Sequence, residues 1–485
     1  MSETLFINGV WREATGGATL PVTNPATGDN IQVIADASEV DVLHALESAQ
    51  VAFPVWSQMP TREKATIMHR AMSLFRNEML NDAARMLTQE HGKPLNDSYK
   101  ECRYSADVID FYADEARRIT GTHFSGDIGP THSFVFKQPV GVVGAIVPWN
   151  FPVDLLAWKL GPGLAAGCTF VIKPSELAPF AAMKFVEAFK RAGIPDGVIN
   201  VVTGGPGVGK ALVTHPLTNK IAFTGSTAVG RWIAEHAGQQ LKPVTLELGG
   251  SAPFIVCKDA DLDIAVPEAL RRTYSHTGQI CISVNRIFVQ RDVFEPFADR
   301  FAEAAAKLRV TANGLQDVDA DMGPIITESG LNKIRQHVAD AIDKGAKLRV
   351  GGASPDGEAY KGGYFYSPTV LTDITMDMAV MREETFGPVA PIVQFDTVEN
   401  AVQMANNTPY GLAAYVYTAD LDTAFYAAQH IKAGGVGINV NDVTEIRAPF
   451  GGMKQSGLGR ELGEPGLDAY MDIKHVRYRH RPPKG

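Results

Sequence analysis

Between residues 141 and 248 the chain sets short apolar runs apart by helix-like stretches. The runs are GVVGAIV, TFVIK, VINVV, KIAF and VTLEL. APFAAMKFVEAFKRAG and STAVGRWIAEHAG are two of the stretches between them. A strand that alternates polar and apolar residues has one wet face; a strand that is apolar throughout is covered on both. Such strands alternating with helices predict a parallel sheet with helices on either side, a doubly wound α/β domain. Ligands bind these sheets at the carboxyl ends of the strands. Here those ends carry Pro148-Trp149-Asn150, Lys173-Pro174-Ser175-Glu176, Gly204-Gly205-Pro206, Thr224-Gly225-Ser226 and Glu247-Leu248-Gly249-Gly250. This polar, glycine-rich set is what a dinucleotide crevice requires.

The 485 residues allow two to four domains. A second α/β pattern spans 249–453. Before the first one, the region up to about residue 120 reads as mostly helical, beginning with an amphipathic helix over 38–53 that a Ser38/Asp41 capping box would start. Two segments alternate like exposed strands, THSFVFKQP (131–139) and the tail AYMDIKHVRYRH. They predict a small projecting sheet suited to dimerisation, with a solvated basic tail as the plainer alternative. The expected organisation is therefore a cofactor domain from 1–120 and 141–248, a catalytic domain from 249–453, and an oligomerisation element from 121–140 and 454–485.

A formal charge of −9 argues against nucleic acid as a partner. The amino terminus has no basic segment followed by an apolar one, and no apolar run approaches a membrane span, so a cytoplasmic protein is expected. The four cysteines show no metal-ligand spacing and no metal is expected. Cys168 opens one apolar run, Cys257 closes another and Cys102 sits in a predicted helix, so all three read as core residues. Cys281 differs: it follows a Gly-Gln pair in HTGQICISVNR.

Several motifs bear on its role. GGPGVGKA (204–211) lacks the Ser or Thr that a P-loop places after its lysine, so a strand-to-helix turn is the better reading. FTGSTAVG (223–230) opens a helix after a strand, where backbone amides can face a pyrophosphate. Glu247 ends an apolar strand before Leu-Gly-Gly with no lysine or arginine adjacent, and the Asn150 amide can donate to an oxyanion. A protease dyad of Cys281 with His276 has only local adjacency behind it.

Taken together, TNPATG, PWNFP, KPSE, FTGST, LELGG, GQIC, EETFGP and PFGGMKQSGLGRE resemble the aldehyde dehydrogenase superfamily over essentially the whole chain, and within it the succinate-semialdehyde dehydrogenase-like branch. The resemblance implies a Rossmann-type cofactor domain, an α/β catalytic domain and a bridging oligomerisation sheet in a homodimer or homotetramer. It implies Cys281 as nucleophile, Glu247 as general base, and Asn150 with the Cys281 amide as oxyanion hole. Lys173 and Glu176 match residues on the adenosine ribose. Gly205, Phe223, Gly225 and Ser226 match the adenine and pyrophosphate crevice, and Glu384 and Phe386 the nicotinamide ribose and ring. Trp149, Ser175, Gly209 and Leu248 count with them as cofactor contacts. NAD is expected, NADP less so. Relatives that hand the acyl group to CoA generally lack the glutamate, so a free acid is the expected product.

The branch resemblance breaks down at the substrate. Succinate-semialdehyde enzymes typically grip the distal carboxylate with two arginines, where this chain has Trp158 and Ser275. Trp158 resembles the tunnel wall of enzymes for neutral aldehydes, and Asp154, one turn earlier, hints at a cationic aminoaldehyde. Arg447, three residues before Phe450, corresponds to a carboxylate-binding arginine of muconic-semialdehyde relatives. It favours a semialdehyde with a distal acidic group, unless it merely pairs with Asp154 or Glu445.

Overall fold

The computed structural model describes residues 3–480. The first two residues and the last five of the predicted oligomerisation element lie outside that range. All five apolar runs form strands of one eight-stranded sheet. Its parallel centre runs Val244–Glu247, Lys220–Thr224, Val142–Ile146, Thr169–Lys173 and Ile199–Val201 in spatial order. The chain therefore starts in the middle, winds to one edge, returns and winds to the other. The reversal falls between Val142–Ile146 and Lys220–Thr224, and the loops beyond those two strands splay apart to leave a crevice. Antiparallel strands close both edges: Leu5–Ile7 with Val10–Arg12 on one side, Gly457–Leu458 on the other.

Of the helices in the first hundred residues, Glu39–Gln58 packs on this sheet, and those after it pack on the helices that cover it. Glu39–Gln58 begins at Ser38, whose hydroxyl and the Asp41 carboxylate form the predicted capping box. Leu95–Glu115 packs along Asp154–Ala166. Its buried Glu101 accepts from the Val153 and Asp154 amides at 2.9 and 3.3 Å, so a neighbouring helix supplies the cap that Asp154–Ala166 lacks in its own sequence.

After Glu247 the chain passes through Gly249 and Gly250 into Ala252–Val256, a central strand of a second, seven-stranded sheet. Val284–Gln290, Val389–Phe395 and Ala413–Tyr417 lie around it in parallel. One continuous buried core reaches from the first sheet into the second and includes Trp158, Ile280, Ile282 and Phe450.

The projecting sheet has three strands, Thr122–Ser125, Thr131–Pro139 and Met471–Arg479. The last two pair residue for residue, from Met471 opposite Pro139 to Arg479 opposite Thr131. Residues 454–470, grouped with this element by sequence, instead join the body. Gly457–Leu458 hydrogen-bonds to Leu246 and Glu247 at the sheet edge, and Leu467 and Tyr470 are buried in the core. No described helix is long and apolar enough to cross a membrane, and no group of three or more His, Cys, Asp or Glu among the described residues is placed to hold a metal.

Candidate active site

A cavity of ≈ 510 Å³ lies at the carboxyl ends of the first sheet, where the second sheet faces it. Pro148, Trp149 and Asn150 line it from beyond one strand, Thr224, Gly225 and Ser226 from beyond the next. Leu248 and Gly249 come from the crossing, and Cys281, Glu384 and Phe386 from the second unit. The sequence segments 148–150, 224–226, 248–249, 279–281 and 384–386 thus meet in one place.

Cys281 is held by its neighbours on both sides. Before it, His276, Thr277 and Gly278 all take left-handed backbone (φ 54, 58 and 72°), a conformation that costs a β-branched residue such as Thr277 about 1–3 kcal/mol. The surroundings compensate: the Thr277 hydroxyl bonds the Gly323 carbonyl at 3.1 Å. The Gln279 side chain receives the Ile326 amide at 3.0 Å and donates to Pro324 at 3.2 Å. After it, the Tyr415 hydroxyl donates to the Ile282 carbonyl at 2.9 Å, and Ser283 bonds the Arg272 carbonyl at 3.0 Å. The Asn150 amide donates to the Gln279 carbonyl at 3.1 Å, which places it beside the cysteine loop. Burial, then the Glu384 and Glu247 carboxylates, push the Cys281 thiol up to about 12. His276 is no base for it: its ring packs 4.4 Å from His91 and 4.7 Å from Phe151. The other three cysteines are buried, and all four are free thiols.

Glu247 is 2% exposed, and neither carboxylate oxygen has a hydrogen-bond partner. Burial, with the charge of Glu461 behind it, raises its proton affinity well above the ordinary carboxylate range; Lys159 and Arg460 oppose this. Lys159 and Glu461 are themselves a buried ion pair at 2.9 Å, and Lys159 also donates to Thr224 at 2.6 Å. A carboxyl so raised is a stronger base than an ordinary carboxylate. Sequence reading did not single out Lys159 or Glu461 as site residues. Both lay inside quoted or adjacent motifs, but a charge on an apolar helix and one in a glycine-rich tail give no sign of meeting.

Of the predicted cofactor residues, Trp149, Gly225, Ser226, Leu248, Glu384 and Phe386 line the cavity. Ser226, which lines the cavity, accepts from the Val229 amide and so starts the helix Thr227–Gly238 at the crevice, the helix end that suits a pyrophosphate. Gly230 has no room for a side chain, since a Cβ would stand 2.3 Å from Leu248. Glu384 is fixed by the Gly250 amide at 2.8 Å, and Phe386, at φ 55°, meets the Trp149 ring edge-on at 5.6 Å. Burial raises the Glu384 carboxyl to about 7. Lys173, Ser175, Glu176, Gly205, Gly209 and Phe223 do not line this cavity. Lys173 pairs with the half-exposed Glu176 at 3.0 Å, Ser175 receives the Leu177 amide at 3.2 Å, and Gly209 backs onto the Lys173 side chain. Phe223 is buried on its strand against Gly225. Gly205 opens the helix Pro206–Thr214 and donates to Asp36 at 3.0 Å beside a smaller hollow. The helix amides, the Glu384 carboxylate and the Phe386 ring together fit a dinucleotide: donors for the pyrophosphate, an acceptor for a ribose and a flat wall for the nicotinamide.

Among the predicted substrate residues, Trp158 donates to Asp154 at 2.9 Å and meets Phe450 at 5.0 Å. Asp154 therefore braces the tryptophan; burial, then Glu101, raise its carboxyl well above the ordinary range. Ser275 ends the helix Leu262–Tyr274. Arg447 is 79% exposed and reaches Glu445 at 3.3 Å, the second of the two partners weighed from sequence.

Residues 11–476 match the model described as "Aldehyde dehydrogenase family". The chain is 42% identical over 472 residues to the succinate-semialdehyde dehydrogenase (NADP+) of Escherichia coli K12, covering 97% of this chain and 96% of that one. It is 43% identical over 472 residues to the glutarate-semialdehyde dehydrogenase of Pseudomonas putida KT2440, with the same coverage. A betaine aldehyde dehydrogenase from Staphylococcus aureus, solved in complex with NAD+, superposes with a TM-score of 0.96 at 35% identity, covering all of this chain and 96% of that one.

Proposed function

The chain belongs to the aldehyde dehydrogenase family, and from that premise we propose that it oxidises an aldehyde to the free acid through Cys281, Glu247 and Asn150. What carries the reading is that Cys281 and Asn150 line one cavity with Glu384 and Phe386, while the buried Glu247 carboxylate, one residue before the lining Leu248, is near enough to act on the Cys281 thiol. The aldehyde dehydrogenase activity itself, with a nicotinamide cofactor, is that of the family. A bound nicotinamide dinucleotide supplies the two-electron acceptor.

The chain's own residues do the rest. The Cys281 thiol gives its proton to solvent and the sulfur adds to the aldehyde carbon. Asn150 and the Cys281 amide stabilise the alkoxide, each donor contributing about 3–4 kcal/mol. Oxidation leaves an acyl thioester on Cys281. Glu247 then takes a proton from the water that attacks it, and the acid departs as the thiol is restored. Burial and then Glu461 raise the proton affinity of Glu247, against Lys159 and Arg460.

Glu176 supports NAD over NADP: a carboxylate accepts from a ribose 2′-hydroxyl and repels a 2′-phosphate. Exposed Phe124, Phe136 and Ile473 on the projecting sheet support a homodimer or homotetramer formed there. A cytoplasmic setting agrees with four unpaired thiols. The cofactor domain is assigned to 1–120 and 141–248 and the catalytic domain to 249–453, meeting at the cavity.

For the substrate we take a semialdehyde with a distal acidic group, on the strength of the names of the relatives above; Arg447, paired with Glu445, would have to leave that partner to hold the acid. A neutral or cationic aldehyde is the second reading. It is favoured by the carboxyls of Asp154, Asp442 and Glu445 gathered around the buried Tyr104 hydroxyl. The test is NADH release over succinate semialdehyde, glutarate semialdehyde, propionaldehyde, benzaldehyde and aminobutyraldehyde. Cys281→Ser serves as the null, and Arg447→Ala is compared with wild type. Loss of an anion's partner raises KM for the acidic substrates by about one to two decades and leaves the others alone. Equal loss across the panel overturns the acidic substrate, and NADH release by Cys281→Ser overturns the mechanism.

A further inference from the structure

The segment from Asn441 to Phe450 carries Glu445, Arg447 and the ring that meets Trp158, the residues the proposed function puts on the aldehyde side of Cys281. Its far end is fixed by backbone. Phe450 and Glu461 exchange amide-to-carbonyl bonds at 2.7 and 2.8 Å, and the Gly463 amide holds the Ile446 carbonyl at 2.8 Å.

Its near end is held differently, by two consecutive arginines at the close of the helix Leu262–Tyr274. Arg271 donates to the Asn441 side-chain oxygen. Arg272 donates through Nε to the Asn441 carbonyl, at 2.5 Å, and pairs with the Asp442 carboxylate at 2.6 Å. Asn441 answers by donating to the Glu268 carbonyl at 2.9 Å, one turn back on the same helix, and Asp442 receives the Thr444 amide at 2.9 Å. Arg272 is 6% exposed and Asn441 1%, so the contact between these two is shielded from water and salt.

Arg272 also lies 5.9 Å from the centre of the Tyr415 ring. The hydroxyl of that fully buried tyrosine holds the Ile282 carbonyl, the residue after the nucleophile. The Arg272 carbonyl holds Ser283. One side chain and its backbone thus touch the supports of both the pocket wall and the cysteine loop. The other contacts in this cluster are accounted for by helix capping or loop closure; a buried guanidinium bridging two loops of the site is not.

We propose that Arg271 and Arg272, clamped on Asn441 and Asp442, are positioning residues that lock the wall of the aldehyde pocket to the nucleophile loop and so set which aldehydes the enzyme distinguishes. The inference rests on the aldehyde-oxidising reading of the same site. A short aldehyde reaches Cys281 without touching the wall and reacts whether or not the wall is in register. A longer one must fit between Trp158, Phe450 and the 441–447 loop, and its tail reports the loop's position. Neither arginine approaches the cofactor crevice.

The experiment compares wild type with Asp442→Asn, Arg272→Lys and Arg272→Met. It measures kcat and KM for propionaldehyde and for glutarate semialdehyde, KM for NAD, and the rate of Cys281 alkylation by iodoacetamide. Asp442 is half-exposed, so its variant keeps the fold. Asp442→Asn raises KM for the longer aldehyde about tenfold, as expected for one charge-assisted hydrogen bond. Its propionaldehyde kcat and its NAD KM stay within about twofold of wild type. Arg272→Met adds a change in alkylation rate at Cys281, which Arg272→Lys partly restores. The clamp is overturned if both aldehydes lose equally, if NAD KM moves with aldehyde KM, or if Asp442→Asn matches wild type on both substrates. Failure of the underlying reading would look different: no NADH from propionaldehyde in the wild-type enzyme itself.

Discussion

Replacing Glu247 by glutamine should slow turnover, spare the first turnover and stabilise the fold. The carboxyl is almost fully buried and neither oxygen has a hydrogen-bond partner. Its proton affinity is raised by burial and then by Glu461. Loss of a general base costs about 10²–10⁴-fold in rate, or about 3–5 kcal/mol of barrier at 1.36 kcal/mol per decade. That loss falls on thioester hydrolysis, so rapid-quench or stopped-flow traces should show one NADH per site at near wild-type speed, followed by a steady state reduced by that factor. The stability effect follows from the same burial. Above its ordinary 4.5, an unfolded Glu247 has released a proton that the folded chain still binds. Folded stability therefore falls as pH rises from the ordinary carboxylate range toward the raised value. Glutamine removes that window, so the melting temperature of Glu247→Gln minus that of wild type should be small at pH 5 and larger and positive at pH 8. A burst that shrinks in step with the steady state would refute the base assignment. A melting temperature that drops at pH 8 would refute the claim that the buried carboxyl strains the fold.

Two further outcomes follow from the same geometry. Glu384→Gln removes the charge that, after burial, does most to hold the Cys281 thiol up at about 12. Its thiolate fraction at pH 8 rises, and iodoacetamide should label the cofactor-free variant several-fold faster, about tenfold for each unit the pKa falls; an unchanged rate would separate the two groups. For the cofactor, wild-type kcat/KM should be higher with NAD than with NADP, and Glu176→Ser should narrow the ratio by about tenfold. A wild-type ratio at or below one would reverse the assignment.

How much of this was legible beforehand depends on how local the signal is. The parallel sheet could be read because each strand is a short apolar run bounded by its own turn, and the strand-end residues then named the crevice without any contact being known. The projecting sheet was legible for the same reason, through alternation at 131–139 and in the tail. Its boundary was not: nothing in GLGRE marks Gly457–Leu458 as pairing with Leu246 and Glu247, because an edge strand of two residues has no period to detect. The pair of Lys159 and Glu461 is separated by 302 residues, and only packing brings two buried charges together. Arg447 could be weighed but not placed. Its exposure and its bond to Glu445 are properties of a loop pinned at Asn441 and Phe450, and those pins are supplied by a helix ending at Tyr274 and by a two-way backbone bridge to Glu461.

The placement of the chemistry follows from the turn where the chain first crosses from one sheet to the other. Glu247 is the last residue of a strand in the first sheet, and Ala252 the first of a strand in the second. The turn between them must pass under both the nucleophile loop and the cofactor wall. A side chain at Gly249 would come 2.7 Å from the Glu384 carboxylate, and one at Gly250 would come 2.1 Å from the Cys281 carbonyl. Glycine there lets the base, the nucleophile and the Glu384 wall crowd onto a few residues of backbone. The same crowding keeps water from solvating Glu247 and leaves its carboxyl without partners. The geometry that brings base and thioester together is thus also what raises the base's pKa, and separating the two units by even one residue in this turn would relax both at once.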